Sequence, residues 1–416
     1  MRVAVVGSGI SGLSAAYYLS RQHEVTLFEA AERLGGHTAT IDVSVNGNNY
    51  AIDTGFIVYN SRTYPNFIRL LTELGVSSQT TEMSFSVSCA ATGLEYGGSG
   101  FSALFAQRRN LISPYFLRLL LNIVRFNRNA VRDLQAGSLS AEMSLGAYLS
   151  VNNYASGFVR HYLTPMAAAI WSSSTASVLE MPVLFFVKFF RNHGLLQLRD
   201  RPQWYSIIGG SSAYIAPMSR PFAHSIRLNA PVSRIKRSDN SVTLTTQQGE
   251  QQSFDELVLA THSDQALAIL ADPSMEEEAV LSAITYQAND VVLHTDATVL
   301  PRNRKVWSSW NYSLDEQQRD SAVLNYNMNI LQNLNAPETF CVTLNKDSAI
   351  ASDKILGSYR YSHPLFDDAA IHAQQQWPAI NGVRRTWYCG AWWGNGFHED
   401  GVTSALRVAR GLGVEC

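Results

Sequence analysis

The chain has 416 residues, 46% hydrophobic and only 16% charged, with a formal net charge of -2. Single cores stop growing near ~250–300 residues, so two domains are expected, and the balanced charge gives no reason to expect a nucleic-acid partner. The four cysteines, Cys89, Cys341, Cys389 and Cys416, form no CxxC pair and no metal-ligand spacing, which fits a reducing, cytoplasmic setting without a metal site.

The N-terminal stretch MRVAVVGSGISGLSAAYYL has the charge and apolar run of a leader peptide, but three glycines at fixed spacing break it. Val3–Val6 reads as a buried parallel strand, Gly7-x-Gly9-x-x-Gly12 comes at once after it, and the pattern from Leu13 to Ser20 is helical. A second strand, Glu24–Phe28, ends on Glu29. Each residue type has a mechanical role: Gly7 permits the tight turn, Gly9 lets backbone approach a pyrophosphate, and Gly12 lets helix and sheet pack closely. The free N–H groups at the helix start suit phosphate, and Glu29 suits a ribose hydroxyl. This unit binds a dinucleotide, NAD or FAD. No uninterrupted apolar run reaches the roughly 18 residues that a membrane span needs.

The residues beyond Phe28 decide between the two dinucleotides. Glu29-Ala30-Ala31-Glu32-Arg33-Leu34-Gly35-Gly36-His37-Thr38 resembles the extended FAD signature of the amine oxidase and phytoene desaturase superfamily, and Asp53-Thr54-Gly55-Phe56 resembles its next block. Ala230–Ile235, Ile207–Ser212, Phe254–Thr261, Tyr388–Trp393 and Phe397–Val402 resemble further blocks along the chain. The resemblance implies an α/β fold: a Rossmann-like FAD-binding domain with a second α+β substrate domain built from insertions. It implies FAD contacts at Gly7, Gly9, Ile10, Ser11, Gly12, Glu29, Ala30, Arg33, Gly35, Gly36, His37, Thr54, Gly55 and Phe56. Further contacts are implied at Val232, Ala260, Thr261, Gly390, Ala391, Trp392, Asp400, Gly401 and Val402. Arg33 and the paired glycines would run past the phosphates, and Val232 would bracket the adenine. The chain departs from the pattern twice: His37 stands where many members carry arginine, and Ala391-Trp392 replaces the usual acid after Gly390. The whole sequence is similar to a bacterial subgroup of NAD/FAD-binding proteins associated with cyclopropane and other modified fatty-acid synthesis, with further likeness in Thr54–Asn60, Pro165–Ser172, Asn192–Leu196 and His294–Asp296.

The blocks place the FAD domain at 1–75, 203–265 and 376–416, and the substrate domain at 76–202 and 266–375. Within the insertions, Met83–Cys89 alternates and returns at Leu94–Tyr96 as a hairpin. Residues 96–132 carry six arginines and no Asp or Glu among many Leu, Ile, Val and Phe. Two readings stand: a domain-forming helix with solvated arginines, or a peripheral contact with the inner membrane through 104–132. Leu184–Phe190 reads as a buried apolar element.

The chemistry belongs to the flavin, with the substrate delivering hydride to N5 and oxygen or another electron acceptor restoring it. No second dinucleotide turn is present. His294 stands where related amine oxidases hold a lysine, with Lys305 nearby as an alternative, and His398 sits in the C-terminal block; both histidines are candidate catalytic groups, and His294 reads equally as a hydrogen-bonded structural histidine. Trp171, Trp392 and Trp393 are candidate walls of the flavin site, and Cys389 is a remote candidate for covalent attachment. The leading expectation is a desaturase or oxidase acting on a hydrophobic substrate, such as a modified fatty-acyl lipid. The alternatives are an amine oxidase, a redox-neutral isomerase or mutase, and a non-catalytic FAD-binding partner of a lipid-modifying enzyme.

Overall fold

The computed structural model describes residues 1–197, 200–314, 323–345 and 350–416. Five parallel strands form the organising sheet, in the order Ile226–Arg227, Glu24–Phe28, Arg2–Val6, Glu256–Leu259, Thr386–Tyr388. Alternate side chains of a strand face opposite ways, and both faces here are covered, which is why the strands read as unbroken apolar runs. Val3 and Val5 enter one core with the helices Ile10–Leu19 and His398–Gly411. Ala4 and Val6 enter another, with Ile235 and Leu244 of a three-stranded antiparallel sheet and Leu281 of the helix Met275–Ser282. The first and last helices pack directly on each other, so both ends of the chain build one face of the nucleotide fold.

All five parallel strands come from 1–75, 203–265 and 376–416. A second sheet, drawn from 76–202 and 266–375, has seven strands in the order Ile355–Pro364, Tyr286–His294, Cys341–Leu344, Val323–Asn327, Trp310–Leu314, Phe85–Cys89, Leu94–Gly97. Its pairs are antiparallel except that of Trp310–Leu314 with Phe85–Cys89. Helices cover it. The longest, Pro114–Gln135, starts at Ser113, whose hydroxyl accepts from the Phe116 N–H, with proline at the first helical position. Phe126 on this helix meets Phe186 and Phe190 of the helix Val183–Asn192 in one aromatic core, which Tyr312 and Leu324 of the sheet complete. Packing also carries the nucleotide-side core past residue 265, to Leu281 and Ile284.

A buried ion pair pins this last extension. Arg237, at the end of a strand beside the cofactor cavity, holds Glu277 through two hydrogen bonds, 2.5 Å to Oε1 and 2.8 Å to Oε2. The side chains are 0% and 2% exposed, and the Tyr388 hydroxyl donates to the same carboxylate at 2.6 Å. Burial alone would raise the Glu277 pKa; Arg237 and Tyr388 outweigh it and hold the carboxyl below its ordinary range. Arg237→Met is therefore expected to strand a buried charge and lower unfolding stability by about 3–5 kcal/mol. Urea unfolding checks this, and a loss under about 1 kcal/mol would show the pair is not structural.

Candidate active site

The first strand ends at Gly7, whose φ of +99° suits only glycine, and the chain turns straight into the helix Ile10–Leu19. A Cβ at Gly12 would stand 1.9 Å from the Gly7 carbonyl oxygen, so helix and strand approach as closely as backbone allows. At Gly9 the opposite holds: an added Cβ would meet nothing within 4 Å. Gly9 precedes the helix without a side-chain cap, and no acidic residue stands in the first turn. Uncapped N–H groups here face open space, the arrangement that receives phosphate.

That space is a cavity of about 540 Å³. Its lining brings together Glu29, Ala30 and Val232, the turn residues Gly7, Ser8, Gly9, Ile10, Ser11, Gly35 and Gly36, Ala260 and Thr261 against Gly7, and Gly390, Ala391 and Trp392. Glu29 accepts from the Ser8 N–H at 2.9 Å, the Ser8 hydroxyl at 2.5 Å and the Ala31 N–H at 2.9 Å, which fixes the carboxylate over the turn. The residues suit FAD: Glu29 and Val232 would hold the adenosine, the helix start the diphosphate, and Gly390–Trp392 the ring end.

Several expected contacts lie elsewhere. The Arg33 guanidinium folds onto the carbonyls of Leu34, Gly36 and Thr38, so it braces its own loop and does not line the cavity. Thr54 is committed to the Ala39 carbonyl and the Tyr361 hydroxyl. Gly401 serves packing, since a Cβ there would lie 2.7 Å from Ile10, and Val402 is fully buried in the core behind it. Asp400 lines a separate cavity with Glu399, Arg62 and Arg191; burial lifts its pKa to about 6. Gly55 and Phe56 line a different, apolar cavity. Asp53 is buried, accepts from Thr40 and Ser211, and ties the Gly210 turn in place.

His294 requires a correction. It sits fully buried at the far end of the strand Tyr286–His294, hydrogen-bonded to Thr343 at 2.8 Å and accepting from the Asp296 N–H at 3.1 Å. The strand meets the cofactor cavity at Tyr286, eight residues and roughly 26 Å away. His294 is a structural group of the second sheet. Lys305 is exposed in a turn and lines neither cavity. Cys389 is buried in the core of the nucleotide fold and lines neither cavity. Trp393 packs against Trp392 in a tilted arrangement, ring centroids 4.2 Å apart, and lines neither cavity.

The second cavity, about 200 Å³, is walled by Ile170, Trp171, Phe189, Trp204, Trp310 and Phe366 among others. It meets the cofactor cavity at His37, His363, Pro364, Gly396, Phe397 and His398, which line both. His398 stacks on Phe56 at 3.4 Å, and its Nε2 lies 3.1 Å from both the Thr38 and Tyr214 hydroxyls. His37 stacks on His363 at 5.3 Å, and His262 stacks on Tyr286 at 4.2 Å on the cofactor side. His363 reaches this place because the antiparallel register sets Gln287 opposite it, and Tyr286 opposite Pro364. Sequence reasoning missed His262, Tyr286 and His363, whose convergence depends on strands more than 70 residues apart pairing.

The four histidines are held neutral. Removal from water pushes His363 to about 4 and His398 to about 3, and lowers His262. It drives His37 well below its ordinary value, with His363 and His262 adding repulsion.

Gly9→Ala should fold but bind flavin at least about tenfold more weakly, whereas Gly12→Ala should fail to fold well; the flavin-to-protein ratio and melting temperature separate them. The histidine pKa values lie below the unfolded value of 6.5, so their stabilisation is present above that pH. It is lost as pH falls toward 4, because the unfolded chain takes up protons the native site refuses. Melting temperature should therefore drop from pH 6.5 to 4, and His363→Gln should flatten part of that slope; an unchanged slope would contradict a neutral His363.

Comparison with known proteins places this geometry. Residues 10–306 match the family described as flavin containing amine oxidoreductase. A Mycobacterium tuberculosis protein bearing the name flavin-containing monoamine oxidase is 27% identical over 292 residues, 66% of this chain and 60% of that protein. The chain thus spans about 60% of that relative's length. Putrescine oxidase bound to putrescine shares the fold with a TM-score of 0.72 at 15% identity over 100% of both chains. A fatty acid isomerase from P. acnes gives 0.68 at 15% identity over 98% of each. The likeness to these two structures speaks for the fold alone. With the family match running from Ile10 at the start of the first helix past the strand Tyr286–His294, more than half of the chain, the chain belongs to the flavin-containing amine oxidoreductase family, whose cofactor is FAD.

Proposed function

We propose that the protein is an FAD-dependent oxidoreductase of desaturase or oxidase type that takes hydride from an uncharged hydrophobic substrate, such as a modified fatty-acyl chain. One observation carries the reading: among the described residues, no carboxylate lines the apolar cavity. Its titratable groups are tyrosines and histidines, and the histidines whose pKa values burial lowers, His37, His193, His363 and His398, are neutral. An ammonium entering there would lose its hydration without an anionic partner. An acyl chain would meet indole and phenyl walls.

FAD held along the helix start and Gly390–Trp392 would supply a hydride acceptor, with oxygen or another acceptor to take up the electrons. The cavity walls exclude water and align a carbon–hydrogen bond at the junction. Forming a carbon–carbon double bond removes one hydride and one proton from adjacent carbons. His37, neutral and too weak a base to keep the proton, is placed to relay it out of the site: it lines both cavities, and no hydrogen bond engages its ring among the described residues. His363 has its Nδ1 3.1 Å from the Asn289 amide, which would leave Nε2 protonated as a donor toward the junction. His398, bracketed by Thr38 and Tyr214, is a positioning residue.

An amine oxidase is the second reading, favoured by the Mycobacterium tuberculosis relative. Anaerobic mixing separates the two. Fatty-acyl substrates should bleach the oxidised flavin band while polyamines leave it unchanged, and His37→Gln should keep its flavin but bleach about 10²–10⁴-fold more slowly. Bleaching by amines alone would overturn the proposal. Conversion of an acyl substrate to its isomer without any demand for an acceptor would replace it with an isomerase.

A further inference from the structure

One surface of the second domain has no partner in the fold. In the helix Pro114–Gln135, successive side chains turn by about 100°. Phe116, Leu119, Phe126 and Ala130 are buried on one side. The opposite side carries Leu117, Leu121 and Val124 in one row and Arg118, Arg125 and Arg132 in the next, all exposed. Leu121 is 70% exposed, and Ile112, in the turn just before the helix, is 82% exposed. Branched aliphatic side chains standing this far into solvent, grouped over one face, mark an interaction surface.

The charge on this face identifies the occupant. Residues 96–132 hold six arginines and no Asp or Glu. Arg132 is paired with Asp133 at 2.8 Å, whereas Arg108, Arg118 and Arg128 form no ion pair among the described residues. Arg125 bonds carbonyls of Asn152 and Asn153 and lies over the Tyr154 ring, contacts that leave its charge unneutralised. A second copy docking through the same face would set these arginines against their equivalents, because a two-fold interface is self-complementary. Aliphatic side chains flanked by unneutralised guanidinium groups suit the boundary of an anionic bilayer, where the chains enter the acyl region and the arginines meet lipid phosphates. Among the described residues no helix is long and apolar enough to cross a membrane, so the contact lies on the surface.

This face is wired to the apolar cavity. The Tyr115 hydroxyl, at the helix start, shares a hydrogen bond with His161. His161 lies in the π-helical turn Val159–Leu163, which leads directly into the helix Thr164–Trp171. That helix delivers Ile170 and Trp171 to the cavity wall. Beneath the same long helix packs Val183–Asn192, which supplies Phe189.

We infer that the face formed by the turn at Leu111–Ile112 and the outer side of Pro114–Gln135 docks the protein on an anionic lipid bilayer. Docking is independent of the choice of substrate, because its readout is binding. Flavin-loaded full-length protein is sedimented with vesicles of phosphatidylcholine alone or mixed with phosphatidylglycerol. It should pellet with the anionic vesicles and remain in solution with the neutral ones. Raising salt should release it. Ile112→Asp with Leu121→Asp should abolish pelleting, and Arg118→Gln and Arg128→Gln should each weaken it about fivefold, with flavin content and melting temperature unchanged in all. Absence of pelleting, or pelleting indifferent to these variants, would overturn the inference. So would a dimer by light scattering that the aspartate variants convert to monomer.

Discussion

The close approach of two backbone segments, Gly7 against Gly12, is the constraint on which the site depends. It presses the start of the first helix against the end of the first strand, so the helix N-terminus opens onto the cavity at Gly9. Everything along the cavity is arranged from that point. Glu29 is fixed one strand away by Ser8, and the paired glycines pass directly over the turn, where Gly36 lies against Gly9. The last helix closes on the same place, Gly401 against Ile10. Glycine recurs because backbone must meet backbone with no side chain between.

The second constraint is electrostatic. Where the two cavities meet, the structure gathers histidines in place of the fixed charges common in ligand sites. Crowded together and removed from water, they shed their protons, so the junction offers hydrogen-bonding nitrogen without net charge. Such a junction tolerates an apolar substrate on one side and a polar cofactor on the other. Aromatic walls complete it on the substrate side, and one helix that supplies them, Val183–Asn192, packs beneath the helix Pro114–Gln135.

The nucleotide fold was legible in the sequence because its signals are local: a glycine turn between strand and helix, an acid after the next strand, glycine at the end of the last. The long basic helix and the hairpin at Phe85–Gly97 were legible for the same reason, as periodicity needs no distant partner. Placement by register was not legible. His294 and Tyr286 share one strand, yet only the end carrying Tyr286 reaches the cofactor cavity, and that depends on pairing with Ile355–Pro364. Arg33 shows a different limit, since its place in the motif is a local signal but its guanidinium finds nearer acceptors in its own loop. Which side of the helix Pro114–Gln135 would be left bare also required the packing of its neighbours.

The central claim is that the cavity beyond the histidine junction takes an uncharged, apolar molecule beside FAD. A crystal structure of the flavin-loaded protein carrying its co-purified occupant, with that occupant identified by mass spectrometry, tests this most directly. The expected result is FAD lying along the helix start at Gly9 and an acyl chain between Trp171 and Trp310. An ammonium group held in that cavity by a carboxylate, or a flavin ring turned away from His37 and His363, would contradict it.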